Sequence, residues 1–322
     1  MAGAANTKHR VGQERTVEIY LKFCRENGFS KHAPTFLSVA GFLADHVVRQ
    51  KGSAKTIGPI IGAIRRYCVL SRIPYLSDHE QLLLLDLVKE LELKDTKAKR
   101  QVRPLTRFIL DAVYSTGDRS CGRERMAIVI MTVAHDAMLR SGEICGGLRA
   151  IDFSWNKSRR SVTIHFLRTK THRKYGGISV TIYDYGRRSG CALLRRWFRE
   201  QNLKDSSTEF VFPHWDSRRN SFVRDKCLSS DLFRKMVKDA VESIGLKRED
   251  FSGHSCRAGG ATDAFNAGVP YAAVKKFGRW RSDTVLEYYR DEDEVATRVS
   301  AAFGRLGFKV SKRTQHVSKT AC

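Results

Sequence analysis

Over residues 13–93 apolar positions recur every three to four residues, the spacing that turns one face of a helix toward a core. In "TVEIYLKFCREN", Val17, Tyr20, Leu21 and Cys24 share a face, and Gly28 marks the stop. "TFLSVAGFLADHVVRQ" repeats the pattern and ends near Gly52. "SAKTIGPIIGAIRRYCVL" opens on a serine cap and carries Ile57, Ile60, Ile61, Ile64 and Cys68 at helical spacing. Its polar residues are Lys55, Arg65 and Arg66, and Pro59 falls in the first turns, where a missing N–H costs least. "SDHEQLLLLDLVKELEL" begins with Ser77 and Glu80 spaced as a capping box. Four helices of this size predict a small bundle.

The pattern lapses in "KDTKAKRQVRPL", residues 94–105, which is basic, has no periodic apolar face and ends near Pro104. It reads as a linker suited to crossing a nucleic-acid backbone, or as a frayed helix end with solvated charges. Helical periodicity returns in "TRFILDAVYST" and in "RERMAIVIMTVAHDAMLRSGEI", the latter apolar nearly all round and so expected to be buried. In "RSVTIHFLRTKTHRKYGGISVTIY", Val162, Ile164 and Phe166 alternate on one side, as do Ile178, Val180 and Ile182. That alternation predicts a β-hairpin with a long basic turn. From "CALLRRWFREQN" onward the pattern predicts mainly helix, punctuated by Gly245, Gly253, Gly268 and Gly278. The expected organisation is a flexible basic tail (1–12), a helical domain (13–93), a linker (94–105) and a second, mixed domain (106–322).

Charge narrows the choice of partner. There are 58 Lys plus Arg against 34 Asp plus Glu, a formal net charge of +24. A polyanion is the natural partner, nucleic acid first among them, although a merely basic surface has the same composition. The eight cysteines, at 24, 68, 121, 145, 191, 227, 256 and 322, form no C-x-x-C pair and no regular spacing. That argues against a disulfide framework and a zinc site, and for a reducing compartment. The first residues lack an apolar signal core, and no apolar run reaches the length of a membrane span, so a soluble intracellular protein without a membrane partner is expected.

Candidate chemistry clusters in the second domain. "FSGHSCRAGGATDAFNAGV" puts His254 and Arg257 three residues apart where a helix begins, next to a glycine pair. The spacing places both on one face, and a helix start already favours an anion. Arginine binds two phosphate oxygens at once, and imidazole exchanges a proton near neutral pH. A capping histidine beside a surface arginine is the plainer alternative. Arg140, in "MLRSGEI", is expected at the end of the apolar helix, where a cation suits the dipole, with Glu143 three residues on to orient a basic group. Lys170, in the hairpin turn, is either solvated or a mobile proton donor, and Arg168, Arg173 and Lys174 compete with it. In "FGRWRSDTVLEYYRDEDE", Ser282 reads as the cap of a helix bearing Tyr288 and Tyr289, about 100° apart around its axis. A phenol beside guanidiniums and a histidine would be a plausible attacker on phosphorus.

Together these pieces resemble the tyrosine recombinase/phage integrase family of the Cre type. The motifs run in family order: the arginine of "LRSGEI", a lysine in a hairpin turn, H-x-x-R as "HSCR", Trp280 in "GRW", and a tyrosine nine residues on. The nine-residue step selects Tyr289 over Tyr288. The wording of "HSCRAGGATDAFNAGVPYAAVKKFGRWRSDTVLEYYR" is similar to the recombinases of DIRS-like and Crypton mobile elements.

The resemblance implies a mainly α fold with a small β-sheet. A helical core-binding domain and a mixed α/β catalytic domain would form a C-shaped clamp on double-stranded DNA. It implies that Tyr289 attacks the scissile phosphate to leave a 3′-phosphotyrosine, that Arg140 and Arg257 hold the non-bridging oxygens, and that Lys170 protonates the departing 5′ oxygen. His254 would assist as acid/base, Glu143 would support, and Trp280 would pack or hydrogen-bond near the phosphate. No metal or other cofactor is called for. Four protomers would assemble on two DNA sites, and "VATRVSAAFGRLGF", with Val295, Val299, Phe303 and Leu306 in register, would suit a docking helix or close the chain's own core. Lys55, Arg65, Arg66, Arg168, Arg173 and Lys174 are the weaker candidates for binding DNA. The rival readings are a type IB topoisomerase and a DNA-binding module that has lost the chemistry. The protein would work in the nucleus if it serves a eukaryotic element, and otherwise in a bacterial cytoplasm.

Overall fold

The computed structural model describes residues 3–49, 52–95, 102–118, 120–166 and 177–288. The chain divides into two compact units, Met1–Arg100 and Gln101–Cys322.

In the first unit, α1 (Gly3–Glu26), α2 (Phe36–Ala44), α3 (Ile57–Ser71) and α4 (Asp78–Lys94) enclose a core of Tyr20, Cys24, Val39, Leu43, Ile57, Ile64 and Cys68. Of the residues picked out by helical periodicity, Tyr20, Cys24, Ile57, Ile60, Ile64 and Cys68 meet there, and Leu21 and Ile61 pack against them. Residues 3–12, expected as a flexible tail, are instead the first turns of α1, a segment that includes the good helix formers Ala4, Ala5 and Lys8 and is supported by an exposed Arg10–Glu14 pair at i, i+4. Ser77 and Glu80 form the capping box of α4 in both directions. Ser53 caps a single 3₁₀ turn, Ala54–Thr56, which leads into α3.

The second unit is built on α6 (Gly122–Asp136), whose residues Met126–His135 are all buried. Around it pack α5 (Arg107–Thr116), α8 (Gly190–Glu200), α9 (Ser230–Glu242) and α10 (Ser255–Asn266). The predicted hairpin is present as β2 (Ser161–Phe166) and β3 (Ile178–Tyr183), antiparallel, with Val162 opposite Ile182 and Ile164 opposite Val180. A short strand, β1 (Phe153–Trp155), extends it to three strands in the order β1-β2-β3.

Two expectations give way here. The segment after α8 is not mainly helix at its start: β4 (Pro213–Asp216) and β5 (Ser221–Cys227) form a second hairpin, turned through Asn220 in the left-handed region. Leu105, at the end of the expected linker, is fully buried in the second unit's core, and the Arg103 and Leu105 amides donate to the carbonyls of Asp250 and Ser255. Residues 96–101 of that linker, the basic hairpin turn 167–176 and the expected docking helix after residue 288 lie outside the described residues. No helix among the described residues is long and apolar enough to cross a membrane.

Candidate active site

Arg140 does not end the apolar helix, as the sequence suggested; it begins another. The chain leaves α6 at Asp136, turns through Met138 in the left-handed region (φ 47°), and restarts as the single turn α7 (Ser141–Ile144). Arg140 stands at the N-cap with extended backbone, and Glu143 reaches back to it twice. The Arg140 amide donates to Glu143 Oε2 at 2.9 Å and Arg140 Nη1 donates to Oε1 at 2.8 Å. Glu143 is buried, which alone would raise its carboxyl. Arg279 and then Arg140 hold it below the ordinary glutamate range instead.

His254 and Arg257 flank the first turn of α10, as the i, i+3 spacing predicts, but they differ in exposure. His254 is exposed at the N-cap, whereas Arg257 is 2% exposed. Arg257 Nη1 donates to the Met138 carbonyl at 2.5 Å and Nη2 to that of Gly278 at 2.6 Å. Its guanidinium lies against the face of Trp280, and burial together with the charges of Arg140 and Arg279 pushes it down to about 9, still protonated at neutral pH. Trp280 is brought in by the turn after α11 (Tyr271–Phe277), and a Cβ on Gly278 would fall 1.5 Å from its ring. Only glycine fits beneath it.

The glycine pair after Arg257 serves protein packing. A Cβ at Gly259 would lie 1.9 Å from the Leu105 carbonyl oxygen, and one at Gly260 2.2 Å from that of His135. Their absence lets α10 close onto the chain entering α5 and onto the end of α6.

The structure therefore gathers Arg140, Glu143, Arg257 and Trp280 in one place, with His254 on the adjoining turn. Lys170 and Tyr289, with Arg168, Arg173 and Lys174, lie outside the described residues. Tyr288 ends a 3₁₀ segment, Asp283–Tyr288, where a helix capped by Ser282 was expected, and its ring packs on Trp280 at 5.7 Å. Lys55, Arg65 and Arg66 are exposed on the first unit. No group of three or more His, Cys, Asp or Glu among the described residues could hold a metal ion.

Sequence reasoning missed two features of this site. Arg279 pairs with Glu143 at 2.7 Å, with only 7% of its side chain exposed. His135, in the last turn of α6, has Nδ1 2.9 Å from Asp136 Oδ1 and Nε2 2.8 Å from Asp263 Oδ2. With a carboxylate at each nitrogen the protonated ring can donate to both, and although burial lowers its pKa the two aspartates raise it above the ordinary histidine value. Asp136 also accepts from Tyr185 Oη and the Gly190 amide, and Asp263 from the Arg107 amide, so the cluster ties α5, α6, α8 and α10 together. A His-Asp pair inside an otherwise apolar helix was the available signal.

A family model described as the phage integrase family matches residues 104–295, more than half of the chain. The chain belongs to the phage integrase family. Its members are tyrosine recombinases, which are DNA transesterification enzymes. All of the candidate catalytic residues fall inside the matched span. Among relatives, the chain is 24% identical over 255 residues to recombinase cre of Escherichia phage P1, spanning 75% of this chain and 72% of that one. Its fold is similar to XerH site-specific recombinase bound to difH substrate in a pre-cleavage complex (TM-score 0.57, 16% identity, 88% of this chain and 76% of that chain). It is also similar to a lambda integrase dimer bound to a COC′ core site (TM-score 0.54, 15% identity, 91% and 96%).

Proposed function

We propose that this phage integrase family member is a site-specific recombinase that cuts and rejoins duplex DNA through a 3′-phosphotyrosine, serving the integration or excision of a mobile element. The observation that carries the reading is the convergence of Arg140, Glu143, Arg257 and Trp280 from separate stretches of chain onto one cationic cluster. Fixed guanidiniums in a largely buried setting stabilise charge that develops on a phosphate, and they do so without reorganising at the moment of reaction. Arg140, with 20% of its side chain exposed, supplies the solvent-facing end of the clamp. Arg257, beneath Trp280, adds fixed charge behind it.

In this reading the Tyr289 oxygen bonds to phosphorus and loses its proton to His254. The bond from phosphorus to the 5′ oxygen breaks, and that oxygen takes a proton from Lys170. One phosphodiester is replaced by another, so religation to a second 5′-hydroxyl needs no nucleotide cofactor. Four protomers on two DNA sites, joined through the segment after Tyr289, would provide the exchange. Lys55, Arg65, Arg66, Arg168, Arg173 and Lys174 would grip the backbone in a salt-dependent way. The protein would work in the nucleus for a eukaryotic element and in the cytoplasm for a bacterial one.

The test needs no known site. Wild type and Tyr289→Phe are incubated with randomised duplexes nicked to trap cleavage, denatured in detergent, and the DNA retained on protein is sequenced. Adducts with wild type alone support the recombinase and reveal its target. Supercoil relaxation without strand exchange between two recovered sites would favour a topoisomerase. DNA binding without adducts would leave a binding module.

A further inference from the structure

Arg279 has no part in the chemistry described above, yet it reaches Arg140, Glu143 and Arg257 through its own or a shared group and is the chain neighbour of Trp280. Nη2 donates to Glu143 Oε2 at 2.7 Å and to the Met138 carbonyl at 3.3 Å. Nη1 donates to the carbonyls of Phe277 at 3.1 Å and Ala137 at 3.3 Å. The Met138 carbonyl also accepts from Arg257, and Arg279's own carbonyl accepts from Arg140 Nη2 at 3.1 Å. Arg140 and Arg257 are thus held on consecutive carbonyls, those of Arg279 and Gly278.

The geometry is specified rather than incidental. Arg279 has φ 63°, in a region that a long side chain seldom occupies, and follows a glycine on which no side chain could be placed. Arg72, also at positive φ, is exposed, whereas Arg279 combines that backbone with burial and an ion pair to Glu143.

Charge gives the arrangement its purpose. Glu143 is needed to orient Arg140, but a carboxylate paired with Arg140 alone would cancel the charge that Arg140 brings to a phosphate. A second guanidinium on the same carboxylate returns that charge. Three arginines and one glutamate leave two net positive charges. Attack of a tyrosine oxygen on a phosphodiester, with the phenolic proton removed, gives a phosphorane carrying two negative charges, so the cluster matches the transition state rather than the singly charged ground state.

We propose that Arg279 is a positioning residue for strand cleavage. It fixes the spacing of Arg140 and Arg257 and offsets Glu143, so that the cluster carries the two positive charges the phosphorane requires. This inference rests on the recombinase reading given above. Arg279 does not touch the phosphate itself.

The test compares single-turnover adduct formation by wild type, Arg279→Met and Arg279→Lys at saturating DNA. The probe is a nicked duplex of a sequence recovered by covalent capture. It is made once with an ordinary scissile phosphate and once with a methylphosphonate, whose phosphorane carries one charge fewer. Arg279→Met is expected to slow cleavage of the phosphate about thirtyfold and of the methylphosphonate by less than about threefold, with DNA affinity little changed. Arg279→Lys is expected to recover most of the loss. A purely structural defect would slow both linkages alike, and that result, or no loss on either, overturns the proposal. If Arg279→Met does not fold, Arg279→Met with Glu143→Gln removes the carboxylate that would otherwise lose its buried partner and keeps two net positive charges. It is expected within about tenfold of wild type on the phosphate, and a loss beyond about a hundredfold overturns the proposal. Failure of wild type to form any adduct would instead refute the recombinase reading.

Discussion

The Arg257 guanidinium carbon lies 3.7 Å from the centroid of the Trp280 ring. At that distance, and with Arg257 almost fully buried, the ring holds the guanidinium by its face and shields it from water, an interaction on the order of 2 kcal/mol when desolvated. Trp280→Ala is therefore expected to slow adduct formation roughly tenfold to thirtyfold, and Trp280→Phe, which keeps a ring face, by less than about fivefold. Rates on a nicked duplex check this. Equal rates for wild type and Trp280→Ala would separate the stack from the chemistry.

The His135 imidazolium predicts a pH dependence of stability. Burial alone would lower its pKa, but Asp136 and Asp263 outweigh burial and raise it above the ordinary histidine value. A group whose folded pKa is raised contributes stability that is fully present below its unfolded value, near 6.5, and lost as pH climbs through the folded value. Wild type should lose urea resistance from pH 6.5 upward relative to His135→Gln, which has no titrating group between the two aspartates and leaves Asp136 only its longer pair with Arg107. At pH 6 the variant should be less stable by about 3 kcal/mol. A gap between the two proteins that stays constant from pH 6 to 9 would show that His135 is not protonated in the fold.

Two glycine substitutions should act in opposite directions. Gly259→Ala drives a methyl group into the Leu105 carbonyl and should cost about 1–3 kcal/mol. Gly62→Ala, in the interior of α3 with nothing within 4 Å, should stabilise by roughly 0.5–1 kcal/mol. Denaturant midpoints read both. A neutral Gly259→Ala would mean that α10 does not close on the entrance to α5 as described.

Much of this was legible along the chain, for identifiable reasons. Ile57, Ile60, Ile64 and Cys68 repeat at helical spacing because they share one buried face, and Val162, Ile164 and Phe166 alternate because one side of β2 is buried. The order of the functional motifs was legible for the same reason that they were proposed as one site: each residue type answers a demand of phosphate chemistry. The break after α6 was hidden because apolar residues continue through Ala137, Met138 and Leu139, and no glycine or asparagine announces the left-handed turn. Tertiary demand sets that turn, since the Met138 carbonyl must face Arg257 and Arg279. The β4–β5 hairpin was hidden by its charge, with Asp216, Arg218, Arg219, Arg224, Asp225 and Lys226 diluting the alternation. Arg279 was hidden among 58 basic residues; its burial and its pair with Glu143 show only in the fold.

Exposed cations on the first unit should account for part of the DNA affinity. Binding of a random-sequence duplex by wild type should weaken steeply with salt. Neutralising Lys55, Arg65 or Arg66 should make the slope of log K against log salt shallower by about 0.9 for each phosphate no longer neutralised. Slopes that match wild type in all three variants would remove these residues from the interface.

Tyr289, rather than its neighbour Tyr288, is expected to become joined to DNA, and on that bond the recombinase reading stands. Tyr288 is already committed to packing against Trp280. The most direct measurement traps the adduct on a nicked duplex, digests both protein and DNA, and locates the nucleotide-bearing peptide by mass spectrometry. The expected product is a nucleotide linked through its 3′ phosphate to Tyr289, with Tyr288 unmodified in the same peptide. A nucleotide on Tyr288, or one linked through its 5′ phosphate, would contradict the proposed chemistry.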